Sequence, residues 1–526
     1  MNKTGCIIEN SSVWVSDLGD GTYKNPILYA DYSDPDIVRV DDDFYMIASS
    51  FNCMPGLPVL HSKDLVNWKI VNHICNELPL PGYDKPQHGK GIWAPSIKYH
   101  DGKVWVYVCT PDEGLFMSNT KNPMGEWSPL VHVKKVIGWI DSCPFWDEDG
   151  KGYIIHAFAN SRVGLSSLLN LCKLSADGTE IVDDGKIIID VVGKHQVMEG
   201  PKMFKRNGYY YISAPAGGIV HGYQVTMRSK NIYGPYEEKI AIHEGSNSIN
   251  GPRQGGFVDL DCGETWFAHF QDLDAYGRVV NLQPVKWVDD WMIIGEDVDG
   301  DGIGEPMEIC KKPDVGAIYK VEVPQTSDEF ESKKLGLQWQ WHANPKAEWY
   351  SLTERAGFIR LYASKLPQGE TTLFHASNLL LQKFPAPEFQ VETKLIFSPE
   401  KKSDIAGLMI SGMEYFYLSI KKDKEGFKLS TVKGYGDLEN RIEVEIEDVN
   451  VFLEENEEIY LKAEFKNGAV CNFSYSKDGR SYKAIGEQFK ATPGRWIGAK
   501  VGIFCLNLED ENSEGFADFD WVRISK

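Results

Sequence analysis

Long amphipathic helical runs are missing from this 526-residue chain, and no apolar stretch approaches membrane-spanning length. The first absence argues against helical bundles and helical repeats, and the second against a transmembrane helix. The N-terminal residues, MNKTGCIIENSSVWVSDLGDG, lack the apolar core of a secretory leader. The chain therefore reads as cytoplasmic, or as periplasmic or secreted if a leader was removed. Cys6 after Gly5 resembles a lipoprotein cleavage site, but without that apolar core the reading is not favoured. The ten cysteines are scattered with no C-x-x-C pair, which argues against a zinc ribbon and a dense disulfide framework. Cys109, Cys172 and Cys505 sit in apolar strand-like runs and read as buried free thiols. Positive charge is also short. Lys and Arg number 55 against 76 Asp and Glu, and the net −21 repels nucleic acid and anionic membranes. Acidic polysaccharides are disfavoured for the same reason, whereas a neutral substrate is indifferent.

What the chain has in quantity is aromatic residues. Fifteen Trp, 24 Tyr and 24 Phe suit strands and sugar-stacking surfaces. They are organised by a repeat whose clearest copy is Met198-Glu199-Gly200-Pro201, followed by a strand, an Asn207-Gly208 turn and an aromatic second strand. The other copies begin at Asp34-Pro35-Asp36, Trp93-Ala94-Pro95, Asp141-Ser142-Cys143-Pro144 and, more divergent, Pro252-Arg253-Gln254-Gly255-Gly256. Successive copies lie roughly 50 to 60 residues apart, the spacing of propeller blades. A second element recurs between them: His61–Trp68, then Met117-Ser118 to Trp127, then Arg228-Ser229 to Tyr236. It reads as the outer part of each blade.

After Pro324 the texture changes. Longer alternating segments begin, among them Gly357–Tyr362, Phe389–Phe397, Phe416–Lys421, Ile459–Phe465, Val501–Leu506 and Phe516–Ile524. Period-two alternation over many segments predicts a β-sandwich of jelly-roll type. The expected architecture is all-β: a five-bladed β-propeller over residues 1–324 and a β-sandwich accessory domain over 325–526.

The first strand of each propeller blade lines the central channel, so the residues just before those strands converge at one mouth. Those positions hold Asp34, Trp93, Asp141, Glu199 and the Arg253-Gln254 pair. Singly, each has a bland reading: Asp34 a turn residue before Pro, Glu199 a solvated loop residue, Trp93 core. Their recurrence at equivalent repeat positions outweighs it. Three clustered carboxylates repel, so at least one should hold its proton more tightly. That division suits glycoside cleavage, which uses one protonated and one ionised carboxyl.

With Gly91-Ile92-Trp93-Ala94-Pro95, Met198-Glu199-Gly200-Pro201 and Tyr276-Gly277-Arg278…Leu282-Gln283-Pro284, the chain resembles glycoside hydrolase family 43 over nearly its whole length. Its C-terminal part is similar to the concanavalin-like sandwich of the β-xylosidase and α-L-arabinofuranosidase branch. The resemblance implies an inverting, exo-acting enzyme on a terminal xylose or arabinofuranose of a neutral oligosaccharide. It implies Asp34 as general base, Glu199 as general acid and Asp141 as the carboxylate that raises and orients the acid. It further implies Trp93 and Phe51 lining the sugar pocket, and Arg278 reaching the substrate or the base. In an inverting enzyme the acid and base should stand about 6.5–9.5 Å apart. The sandwich is expected to close the funnel into a pocket.

Three matters stay open at this level. A retaining propeller glycosidase of the fructan-cleaving type is the nearest alternative, although its Asn-Asp-Pro-Asn and Glu-Cys signatures are missing. A sugar-binding module without turnover is another, and monomer and homo-oligomer are both compatible with the sequence. No cofactor is required, but a structural or activating calcium is conceivable. The resemblance implies a calcium near a His-Gln-Gly-Gly motif, where this chain has Arg253; relatives often carry His where Asn281 stands. Both departures count against that ion, with His269 left as a substitute ligand. Separately, Asp297-Val298-Asp299-Gly300-Asp301-Gly302 with Glu308 has EF-hand-like spacing. No helical runs flank it and Pro306 interrupts it, so it reads as an acidic surface loop.

Overall fold

The computed structural model describes residues 13–526 apart from 425, 455, 456, 510 and 511; Cys6 lies outside the described residues. The chain divides into two compact units. One comprises Ser16–Tyr83 and Gln87–Glu322; the other comprises Val323–Lys526 with residues 13–15 and Asp84–Pro86.

The first unit is a five-bladed β-propeller of four-stranded antiparallel sheets, each in sequential strand order. Blade 1 is Asp36–Val40, Asp43–Ile47, Gly56–Ser62 and Trp68–Cys75, and blade 2 runs from Pro95–His100 to Val131–Lys135. Blade 3 runs from Trp139–Trp146 to Lys186–Asp190, blade 4 from Lys202–Arg206 to Glu237–Ile242, and blade 5 from Arg253–Asp259 to Trp291–Ile294. The turn chemistry explains the hairpins. Asn207 and Gly208 both take positive φ (49° and 75°), as do Asp101 and Gly102 (48° and 71°), the turn that matches strand twist.

Period two explains how the blades pack. In blade 2, Val104, Val106 and Val108 join the cluster shared with blade 1, including Val38, Ile47 and Val59. The intervening Trp105, Tyr107 and Cys109 join the cluster shared with blade 3, including Ile154, Cys172 and Leu174. Middle strands are thus buried on both faces, which is why Lys103–Thr110 reads as one apolar run. The ring closes where Thr22–Lys24 pairs with Ile309–Lys311. Asn25 fixes that closure by donating to the carbonyls of Leu282 and Met307 and accepting from the Leu282 N–H.

A buried ion pair spans the inner strands. Lys202 of blade 4 donates to Asp36 of blade 1 at 2.9 Å and to Ser96 of blade 2 at 2.7 Å. Asp36 also accepts the Ile97 N–H. Blade 5 approaches so closely that a Cβ on Gly256 would lie 2.2 Å from Asp36 Oδ1, so only glycine fits there.

The second unit is a two-sheet β-sandwich. One sheet is ordered Gln340–Trp341, Leu380–Lys383, Lys500–Asn507, Asp404–Ser411, Tyr415–Asp423, Gly426–Gly436, Arg441–Val451, with Ser364–Lys365 beside Lys500–Asn507. The other places Phe516–Ser525 between Ile359–Tyr362 and Phe389–Ser398, followed by Ile459–Lys466, Val470–Ser476 and Lys483–Lys490. The chain end is therefore an interior strand. A second apolar layer covers the first sheet: Leu366, Leu373, Phe374 and Leu379 pack on Ile405, Met409, Tyr417 and Phe504. All nine described cysteines are free thiols, and only Cys262 is exposed.

Candidate active site

Asp34, Asp141 and Gln254 share a backbone device. All three have positive φ (53°, 56° and 51°) at or just before the innermost strand of their blades. In blades 3 and 5 the strand pairing slips there, between Ile140 and Cys143 and between Arg253 and Gly255. Such bulges turn a side chain away from the regular pleat. They bring Asp141 into electrostatic reach of both Asp34 and Glu199, which places the three predicted carboxylates in one neighbourhood.

Asp34 is buried and surrounded by donors. Oδ2 accepts from Ser33 Oγ at 2.8 Å and Ser49 Oγ at 2.6 Å, and Oδ1 accepts from Arg278 Nη1 at 2.8 Å. A carboxylate offers about four lone-pair sites. Three are used, and the one left is on Oδ1. Arg278 is itself buried; burial opposes its charge, but Asp34, Asp272 and Asp31 outweigh that and hold the guanidinium protonated. Its backbone N–H donates to Asp31, whose side chain packs where Gly277 has no Cβ.

The opposite flank is poorer in donors. Asp141 accepts only the Gly200 N–H at 2.9 Å among the hydrogen bonds of the described residues. Burial, then the charges of Glu199 and Asp34, push its carboxyl well above the ordinary carboxylate range. Glu199 Oε1 accepts from Arg253 Nη2 at 3.0 Å, and its side chain keeps 24% exposure. Four inner carboxylates thus meet three cations: Arg278 pairs with Asp34, Lys202 with Asp36 and Arg253 with Glu199. Asp141 has no ion pair among the described residues. Without a cation of its own, buried Asp141 is the carboxyl of this group that favours its protonated form.

The aromatic wall is built by a close backbone approach. Phe51 and Ile92 exchange backbone hydrogen bonds of 2.9 and 3.0 Å. Gly91 (φ 85°) permits this, since a Cβ would lie 2.3 Å from the Phe51 carbonyl oxygen. The Phe51 and Trp93 ring centroids are 6.3 Å apart. The Arg162 guanidinium, anchored on Asp112, lies over the Trp93 ring at 5.4 Å.

Sequence reading did not find Ser33 and Ser49, nor the pairing of Arg253 with Glu199. Ser33 was in plain view beside Asp34, but hydroxyl donors carry no distinctive pattern. Ser49 lies 15 residues away, and only the pairing of the first two strands brings it back.

The implied metal positions come out differently from one another. Asp297, Asp299 and Asp301 offer carboxylate oxygens within 4.8 Å of one another and could hold a cation. They already accept the N–H groups of Gly300, Gly302, Asp301 and Ile303, and Glu308 is engaged with Ser248 instead. In blade 5, His269 and Asn281 are fully buried and face each other in register. His269 Nδ1 binds the Phe270 carbonyl, and burial lowers the imidazole to about 4. His269 Nε2 and both amide atoms of Asn281 meet no partner among the described residues. One imidazole nitrogen and one amide oxygen on strands beside the cationic Arg253 do not fit calcium, which takes six to eight oxygens.

A five-bladed propeller with clustered, unequally partnered carboxyls defines a glycoside-cleaving enzyme. Residues 23–292 match Glycosyl hydrolases family 43, and residues 327–525 match the Beta xylosidase C-terminal Concanavalin A-like domain. The chain is 34% identical to a beta-xylosidase of Formosa agariphila, covering 96% of this chain and 90% of the relative. It is 31% identical to a non-reducing end alpha-L-arabinofuranosidase of Bacteroides ovatus, covering 78% of each. It superposes on the crystal structure of a family 43 protein mutant from Bacillus licheniformis with TM-score 0.82 and 27% identity, covering 96% of this chain and 99% of that one. The chain belongs to glycosyl hydrolase family 43.

Proposed function

We propose that the protein is an inverting exo-glycosidase that releases terminal xylose or L-arabinofuranose from xylan- or arabinoxylan-type oligosaccharides. The observation that carries this reading is the contrast between Asp34, ringed by three donors, and the Asp141–Glu199 pair, in which buried Asp141 has one donor and no cation. Glu199 is the more exposed of that pair and delivers the proton to the glycosidic oxygen. Asp141 lies in electrostatic reach of Glu199 and orients its segment by accepting the Gly200 N–H. Asp34 uses its remaining lone-pair site on a water and takes that water's proton as it attacks the anomeric carbon. The bond to the leaving oxygen breaks as the bond to water forms, so the anomeric configuration inverts. Arg278 and Ser33 fix the base, while Trp93 and Phe51 supply the apolar face for the sugar ring. The choice between the two pentoses is supported only by the relatives' activities, which include both.

The test is NMR of the first-formed sugar. A β-xyloside should yield α-xylose before mutarotation. β-Xylose formed first would overturn the single-displacement mechanism.

A further inference from the structure

Resting on the reading of Glu199 as the acid, we infer that Arg253 is a positioning residue that holds the Glu199 carboxyl and serves as its fixed counter-charge. Arg253 stands at the inner end of blade 5, where it is 1% exposed. Among the described residues its one side-chain hydrogen bond runs from Nη2 to Glu199 Oε1 at 3.0 Å. Nε and Nη1 are buried and meet no acceptor among the described residues. Burying a guanidinium with most of its donors unused is costly, so the site is not optimised for stability.

The surroundings are nevertheless shaped to this side chain. A Cβ on Gly222 would lie 2.2 Å from Arg253 Cδ, so the segment just before the strand Tyr223–Ser229 is cut back to admit the aliphatic stem. The Phe270 ring lies beneath the Arg253 guanidinium at 5.6 Å and beneath that of Arg278 at 4.8 Å. One phenyl ring thus spaces the cation of the acid from the cation of the base. Since Arg253 Nε and Nη1 are closed to solvent, the side chain reaches the reaction only through Glu199.

The charged groups around Glu199 set the direction of the effect. Asp141 is the like charge in reach of it, Arg253 and Arg278 are the opposite ones, and Lys202, three residues on, is committed to Asp36. Behind the loop, His195 is paired with Glu238 and Lys194 reaches the same carboxylate. Arg253 is therefore the direct opponent of Asp141. It keeps the acid strong enough to release its proton and fixes which carboxyl oxygen faces the leaving group.

The experiment is the pH dependence of kcat/KM for R253M, R253Q and R253K on a 4-nitrophenyl and a methyl glycoside, with E199Q beside them. The neutral variants should move the alkaline limb upward by about one pH unit or more. They should lose at least tenfold more rate on the methyl glycoside than on the activated aryl one, and R253K should return the limb toward the wild-type position. Folded neutral variants with an unmoved limb and equal losses on both substrates would overturn the inference. So would failure of both neutral variants to fold by near-UV circular dichroism, which would assign Arg253 to the architecture. If E199Q keeps wild-type turnover of the methyl glycoside, the acid assignment itself fails; if E199Q loses it and only the Arg253 variants are silent, the inference alone fails.

Discussion

Asp34 and Glu199 each face a buried arginine, yet the two flanks of the well are built differently. The Asp34 flank combines blade 1 with the Arg278 strand of blade 5, and three donors fill three of the carboxylate's four lone-pair sites. The Glu199 flank combines blades 3, 4 and 5, and it pairs the carboxyl with one cation and one carboxyl, Asp141. In the proposed mechanism the same functional group serves as base on one side and acid on the other. The difference lies in the count of donors and charges, since an arginine is present on both sides.

The largest expected effects separate the two flanks by leaving group. D34N should lose about 10²- to 10⁴-fold in kcat on aryl and alkyl glycosides alike, because both need an activated water. E199Q should show a loss of that size on alkyl glycosides and little on 4-nitrophenyl glycosides, whose leaving group needs no proton. Parallel losses in the two variants would erase the distinction.

Lys202–Asp36 serves as a paired carboxylate assigned to architecture. K202M leaves Asp36 buried without its cation, which should cost about 3–5 kcal/mol and lower the urea midpoint of the propeller. In the fraction still folded, the alkaline limb should stay nearer wild type than in the neutral Arg253 variants. A smaller change is expected from S49A. Asp34 loses one of its three donors, so kcat/KM should fall by about tenfold or less in a protein that melts close to the parent. Smallest of all, a chelator should leave kcat/KM unchanged, since every proton transfer proposed here belongs to a side chain; a loss restored by calcium would show otherwise.

Much of the propeller was legible because its turns are chemically explicit. Asp101-Gly102 and Asn207-Gly208 announce hairpins, and Asp34, Trp93, Asp141 and Glu199 stand at equivalent places ahead of the hairpins of four copies. The Arg253–Glu199 pair was not legible, since the two residues belong to different blades and the fifth copy diverges most. Nothing in the sequence marks Lys202 as buried, because its partners Asp36 and Ser96 come from two other blades.

The sandwich shows the same limit in another form. Asp404–Ser411 was not read as a strand, because it is buried along nearly its whole length and gives no alternation. Arg441–Val451 does alternate, but in the opposite sense to a half-buried strand. Glu443 turns onto the hydroxyls of Tyr415 and Tyr417, while Ile442, Val444 and Ile446 stay exposed.

The pH dependence of D141N tests the unequal partnering of the carboxyls most directly. Asp141 binds its proton more tightly folded than unfolded, so its contribution to stability is full below the unfolded value near 3.8 and is lost as pH rises toward the raised folded value. At neutral pH the Asn variant should therefore melt higher than the parent. With the like carboxyl gone from beside the proposed acid, the alkaline limb of kcat/KM should move to lower pH. A limb that stays in place, in a variant that melts no higher, would contradict an Asp141 that holds its proton through burial and the charge of Glu199.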